Sequence, residues 1–166
     1  MTAKLLVLSG ASGVGKTSLA SHLISTTASR WVHLEADRMA ASMSDAARSK
    51  GFSQAEYLEA LIKSMLCWHE CGFNALIDGV LPYPEDELYR RCVRLLRNQG
   101  ALFAAVSAPY NVVEKRISAR GRGSLEWAAR QLCDINSAES MDFSVDASAP
   151  YNEDPGVQQI IRWMNE

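Results

Sequence analysis

The stretch Gly10-Ala11-Ser12-Gly13-Val14-Gly15-Lys16-Thr17-Ser18 carries the plainest chemistry in the sequence. Its first eight residues match GxxxxGK[ST], where glycines let the backbone wrap and aim successive N–H groups at phosphate oxygens. Lys16 is spaced to reach the β- and γ-phosphates of a nucleoside triphosphate, and the Thr17 hydroxyl to ligate Mg²⁺. The loop follows the apolar run Leu5-Leu6-Val7-Leu8 and precedes a helical segment, whose positive dipole end would face the same anion. A chance glycine turn would not need a strand before it and a helix after it. All nine residues are candidate nucleotide-binding positions, with ATP or GTP as the ligand.

Three further groups could act on a bound triphosphate. Glu35 and Asp37 follow the apolar run Trp31-Val32-His33-Leu34, two residues apart and so on one side of an extended chain. Asp37 is the candidate base for an acceptor hydroxyl, and Glu35 a candidate for holding a water of Mg²⁺. The competing assignment for Asp37 is a helix N-cap ahead of Arg38-Met39-Ala40. Asp78 ends the run Ala75-Leu76-Ile77 and is a candidate for the metal or the acceptor, against a plain Asp-Gly turn with Gly79. Arg116 and Arg120 form an i, i+4 pair, with Arg122 between Gly121 and Gly123. Such a segment can close over the phosphates and neutralise charge on the γ-phosphoryl, with Arg116 and Arg120 the first candidates. A solvated basic helix end is the alternative.

These groups need elements to position them. Residues 4–9, 31–34, 75–77, 102–106 and 143–145 read as strands, and helices are expected over 16–28, most of 38–71, 111–120 and 125–138. Leu58, Leu61, Ile62, Met65 and Leu66 recur at helical spacing, and Gly72 is a stop. Pro84 opens a helix with Leu88, Cys92, Leu95 and Leu96 as its apolar face, closed by Gly100. Asp154-Pro155 cap and begin a last helix with Val157, Ile160, Ile161 and Met164 inward. Strands alternating with helices predict an α/β fold, a parallel sheet covered on both faces with ligands at the strands' carboxyl ends.

Composition narrows the function classes. A chain of 166 residues predicts one domain, and 17 basic against 19 acidic residues argue against a broad nucleic-acid surface. No apolar run approaches the roughly 20 residues that span a bilayer, so the expectation is a cytoplasmic protein without a membrane partner. Cys67, His69 and Cys71 lack the second ligand pair a zinc site needs, which leaves Cys67, Cys71, Cys92 and Cys133 as reduced, buried thiols. The acids expected of a switch GTPase are missing too. Asp78 is followed by Gly79 rather than Asp-x-x-Gly, and 101–109 end in Ser107-Ala108-Pro109 rather than Asn-Lys-x-Asp.

The loop, the acid after the second strand, the arginine-bearing segment and Asp142-Phe143-Ser144-Val145-Asp146-Ala147 together resemble the small P-loop kinases. These include shikimate, gluconate and adenylate kinases, and the sequence looks most like the chloramphenicol phosphotransferase-like family. The resemblance implies a five-stranded parallel sheet in the order 2-3-1-4-5, a helical substrate cover around 38–72 and a lid, all within one P-loop kinase domain over 1–166. It also implies that Asp37 is the base and that the lid arginines and the 146–150 loop border the nucleotide. Adenylate kinases carry a basic residue after Asp-Gly-x-Pro, whereas Tyr83 follows Pro82 here. The cover contains Met39, Met43, Phe52, Tyr57 and Trp68 with few arginines, which suits a neutral acceptor.

The expected activity is therefore ATP- or GTP-dependent transfer of a phosphoryl group to a small molecule's hydroxyl, with Mg²⁺. The alternatives are a nucleotide kinase and a regulatory module that binds and slowly hydrolyses the triphosphate.

Overall fold

A computed structural model describes residues 3–49, 54–79, 87–121, 123–134 and 141–166. Five strands, β1 (Leu5–Ser9), β2 (Trp31–Glu35), β3 (Asn74–Asp78), β4 (Leu102–Ser107) and β5 (Phe143–Asp146), form one parallel sheet in the order β2-β3-β1-β4-β5. Every residue of β1 is buried, as a central parallel strand with both faces covered requires.

The two faces carry separate cores. Leu6, Leu8, Leu76, Ala104, Val106 and Val145 pack with Leu19 and Leu23 of α1 (Lys16–Ser25), Val113 and Ile117 of α6 (Tyr110–Arg120), Ala128 of α7 (Leu125–Asp134), and Val157 and Ile160 of α8 (Pro155–Asn165). On the other face Leu5, Val7, Ala75, Ile77 and Phe103 meet Leu58, Leu61, Ile62 and Met65 of α4 (Gln54–Glu70). Tyr89, Cys92, Val93 and Leu96 of α5 (Glu87–Asn98) complete that side. Alternate residues of each strand serve opposite cores, so the last side chains of β2 and β3 are aimed by strand periodicity alone.

The expected elements are present with local differences. The first helix stops at Ser25 instead of residue 28, where the Thr26 hydroxyl turns back to donate to the Leu23 carbonyl at 2.8 Å. Residues 38–71 divide into α2 (Ala36–Ala41), α3 (Asp45–Ser49) and α4. Serines punctuate the break: the Ser42 hydroxyl donates to the Met39 carbonyl, and the Ser44 hydroxyl accepts from the Ala47 amide. On α5, Leu95 is exposed and Tyr89 and Val93 take the inward places beside Cys92 and Leu96. Asp154 caps α8 as expected, accepting from the Val157 amide at 2.9 Å with Pro155 in the first turn. Only Cys92 of the four thiols is buried; Cys67, Cys71 and Cys133 are exposed, correcting the expectation of buried thiols. Pro84 and residues 135–138 of the expected helices lie outside the described residues.

Candidate active site

The phosphate loop joins β1 to α1 with no residue to spare. A Cβ on Gly10 would stand 2.3 Å from the Val106 carbonyl oxygen of β4, so only glycine lets the loop leave the sheet there. Gly13 has φ +81°, and a Cβ on it would meet Ile117 of α6 at 2.9 Å. Backbone shape and the α6 packing therefore define the loop together.

In this loop the Lys16 ammonium donates to the Gly10 carbonyl at 2.8 Å and to the Ala11 carbonyl at 2.9 Å. Burial lowers its pKa from 10.5 to about 8; Asp78 and Asp37 oppose that shift and Arg120 adds to it. Lys16 is thus a desolvated amine under the influence of two acids and a guanidinium. Between pH 8 and 10.5 the folded chain holds this proton less tightly than the unfolded chain does. The burial penalty is therefore present below pH 8 and lifts as pH rises towards 10.5.

An anion beside Lys16 has the opposite effect and restores its proton. Triphosphate binding at pH 8 is expected to take up about half a proton per chain, against far less at pH 6.5. Calorimetry in two buffers of different ionisation heat measures this uptake. Lys16→Arg, whose guanidinium stays charged, should bind without it.

A cavity of about 340 Å³ opens on the loop. Ser12, Gly13, Gly15, Lys16 and Thr17 form its loop side, and Glu35, Asp37, Asp78 and Gly79 its sheet-end side. Arg120, Trp127 and Gln131 reach it from α6 and α7, while Val7, Leu58, Leu61, Ile62, Ile77 and Leu96 make an apolar inner wall. Gly10, Ala11, Val14 and Ser18 of the motif do not line it. The first three shape the loop behind it, and Ser18 faces solvent from α1.

The acids converge for a reason different from the one expected. Glu35 and Asp78 are register partners on adjacent parallel strands, so both end at one edge of the sheet. Asp37 does not continue the strand: it sits in the first turn of α2, whose N-cap position is Glu35, without a side-chain capping bond. The assignment of Asp37 as a helix cap is therefore overturned. Its carboxylate is exposed to the cavity and has no hydrogen-bond partner among the described residues.

Asp78, by contrast, is only 3% exposed and accepts from His33 Nε2 at 3.1 Å. The Asp-Gly turn assignment misses this buried pairing. Tyr57 of α4 donates its hydroxyl to the Ala36 carbonyl, anchoring the cover beside Asp37. Burial, and to a lesser degree Asp37 and Asp78, push the Tyr57 hydroxyl above its usual pKa.

The arginine pair separates. Arg120 faces the cavity with no ion pair among the described residues. Arg116 is turned away, donating to the Val14 carbonyl and, at 2.6 Å, to the Ala147 carbonyl. The expectation that Arg116 acts on the phosphoryl group is corrected: its guanidinium is spent on two backbone carbonyls, clasping the phosphate loop to the loop after β5. That second loop is itself held by Asp146, which accepts from the Ser148 hydroxyl and amide; these bonds lower its pKa. Asp142 is likewise structural, accepting from Arg97 and from the Phe103 amide. Arg122, Tyr83 and Phe52 lie outside the described residues. Met39 and Trp68 are exposed and do not line the cavity, and Met43 does not reach it either. Arg120→Ala is expected to lower kcat by about 10²-fold with a smaller change in KM for the nucleotide, because the charge it meets grows in the transition state. Steady-state kinetics on both substrates checks this.

Sequence reasoning missed His33 and Gln131. Gln131 is 2% exposed, and its Oε1 accepts from the Ser12 amide of the loop at 2.8 Å. Neither belongs to a motif, and the separation of 119 residues between Ser12 and Gln131 leaves no local signal.

Thr17, Glu35 and Asp78 offer hard oxygen donors around one cavity, a set that fits Mg²⁺, which takes one or two carboxylates and shares the rest with phosphates and water. Among the described residues no cluster of three His, Cys, Asp or Glu could hold a metal unaided. No helix among them is long and apolar enough to cross a membrane.

Among solved structures, the fold is similar to the APS kinase of Mycobacterium tuberculosis in complex with AMPPNP and APS (18% identity, 97% of this chain and 96% of that one, TM-score 0.67). It is also similar to a sugar kinase from Janibacter sp. (21% identity, 97% and 91%, TM-score 0.65). A tunicamycin resistance protein of Deinococcus radiodurans shares the fold as well (19% identity, 98% and 93%, TM-score 0.65). No curated protein matches the sequence. The family model for chloramphenicol phosphotransferase-like proteins matches residues 3–158, nearly the whole length. With its phosphate loop, its sheet order and its acids gathered on one cavity, the chain belongs to the chloramphenicol phosphotransferase-like family of P-loop kinases.

Proposed function

We propose that the chain transfers the γ-phosphoryl group of ATP, or of GTP, to the hydroxyl of a small neutral molecule, with Mg²⁺. The observation that carries this reading is the placement of Asp37, an acid without a hydrogen-bond partner among the described residues, on the same cavity as Lys16 and against an apolar wall. Mg²⁺ held by Thr17 and the Asp78–Glu35 edge would supply charge neutralisation for the phosphates.

Asp37 accepts the proton of the acceptor hydroxyl as its oxygen forms the new bond to phosphorus and the bond from phosphorus to the β-phosphate oxygen breaks. Lys16 and Arg120 meet the charge on the group in transit. Asp78, buried and held by His33, keeps a fixed negative charge beside Lys16. That favours the protonated amine when phosphate arrives.

The inner wall is formed by six apolar side chains, Val7, Leu58, Leu61, Ile62, Ile77 and Leu96. The cations on the cavity among the described residues are Lys16 and Arg120, both on the phosphate side. A nucleoside monophosphate acceptor would need further positive charge, so a neutral alcohol with an apolar body fits better. The deciding experiment measures ADP formation in the presence of hydroxyl-bearing small molecules, neutral and phosphorylated. Stimulation by a neutral alcohol supports the reading. Stimulation by nucleoside monophosphates alone would make the chain a nucleotide kinase, and phosphate release indifferent to every acceptor would make it a regulatory module.

A further inference from the structure

The Gln131 carboxamide is buried, lines the cavity and is half used. An amide N–H can donate only to oxygen, so the bond from the Ser12 amide fixes which end of the carboxamide faces the loop. Its Nε2 is then the other end, and it has no hydrogen-bond partner among the described residues. Because Gln131 lines the cavity, that donor is available to an oxygen of a ligand bound there.

The position says what that acceptor is. Gln131 is bonded to Ser12, the residue after Ala11, and the Lys16 ammonium rests on the Gly10 and Ala11 carbonyls. In a phosphate loop this lysine reaches the β- and γ-phosphates, so Gln131 stands at the terminal-phosphate end of the site. Its helix is firmly seated, since Ala128, one turn before it, is fully buried in the core shared with Val113 and Ile117.

We propose that Gln131 is a further phosphoryl-orienting residue: anchored through Oε1 on the Ser12 amide, it donates through Nε2 to an oxygen of the terminal phosphoryl group of the bound triphosphate. This rests on the nucleotide-binding part of the proposed function and goes beyond it by naming a residue that reads the third phosphate. Arg120 reaches the same group as a charge on a flexible stem. Gln131 adds a fixed, uncharged donor whose direction is set by the loop itself.

The test is calorimetric titration of the full chain with Mg·ADP and with Mg·AMPPNP. Gln131→Glu keeps an oxygen for the Ser12 amide, removes the donor and adds a negative charge. It should weaken AMPPNP binding by about tenfold or more, the weight of one hydrogen bond to a charged group, and change ADP binding by less than about threefold. Gln131→Met removes both ends without adding charge and should weaken AMPPNP less than Gln131→Glu does, again sparing ADP. Melting curves identify any variant whose fold has been lost, and the other variant then carries the comparison.

Equal weakening of ADP and AMPPNP would overturn the proposal, because it marks a residue that merely shapes the loop. Unchanged affinity for both would overturn it as well. If the unsubstituted chain binds neither nucleotide, the underlying reading fails first; if it binds both and Gln131→Glu does too, only the role of Gln131 is lost.

Discussion

Lys16→Ala is expected to abolish measurable phosphoryl transfer while the chain stays folded. The ammonium is the one cation placed inside the phosphate loop, and it already sits where it can move from the Gly10 and Ala11 carbonyls onto an incoming phosphate. Removing it deletes a donor to the charge that grows on the transferred group, a loss of about 10²-fold or more for such a donor. It also removes attraction for the triphosphate before any reaction. The fold should survive for a specific reason: burial desolvates the ammonium and lowers its pKa to about 8, so its charge costs the empty protein stability. Lys16 itself lines the cavity, so water can enter the space its side chain leaves. A melting curve beside an ADP-formation assay decides the matter. A folded Lys16→Ala chain with full activity would refute the site.

Asp37→Asn is expected to bind Mg²⁺ and triphosphate almost normally and to turn over about 10²–10⁴-fold more slowly at saturating acceptor, the usual weight of a positioned base. The amide cannot take the hydroxyl proton, yet it has the size and direction of the acid. Stability should hardly change, because Asp37 caps nothing and has no hydrogen-bond partner among the described residues. At most the favourable charge in the first turn of α2 is lost, about 0.3–1 kcal/mol for an exposed site. The measurement is kcat at saturation next to nucleotide affinity and melting temperature. Normal turnover would move the search for the base to Glu35 or Asp78.

Both predictions concern residues visible in the sequence, though not for the same reason. Lys16 was legible because a phosphate loop is local: a strand, a wrap of backbone and a helix start, all within residues 5 to 25. That Asp37 lines the cavity was legible only in part: alternation would put Glu35 and Asp37 on one side of an extended chain, whereas β2 ends at Glu35 and α2 begins at Ala36. The two acids meet at the cavity because a helix start turns Asp37 back over the sheet edge.

The arginines mark the limit of reading charge by spacing. Arg116 and Arg120 share one face of α6, which the i, i+4 spacing gives correctly. Where each guanidinium goes depends on neighbours supplied by distant segments. Arg116 lies over Val14 and Ala147 and finds two carbonyls, whereas Arg120, one turn on, clears them and faces the cavity.

The sequence by itself determined the alternation of strands and helices, the phosphate loop, and the acids at the strand ends, because each is written in contiguous residues by periodicity, glycine placement or apolar runs. The sheet order entered through the resemblance of those motifs to the small P-loop kinases. The tertiary structure alone decided three things: that His33 holds Asp78, that Arg116 clasps rather than reaches, and that Gln131 of α7 closes on the Ser12 amide. Each joins side chains or backbone far apart in the chain, from 31 residues for Arg116 and Ala147 to 119 for Ser12 and Gln131. Such pairings arise only when the sheet brings separate segments to one edge. No local preference of His, Arg or Gln encodes the partner it finds there.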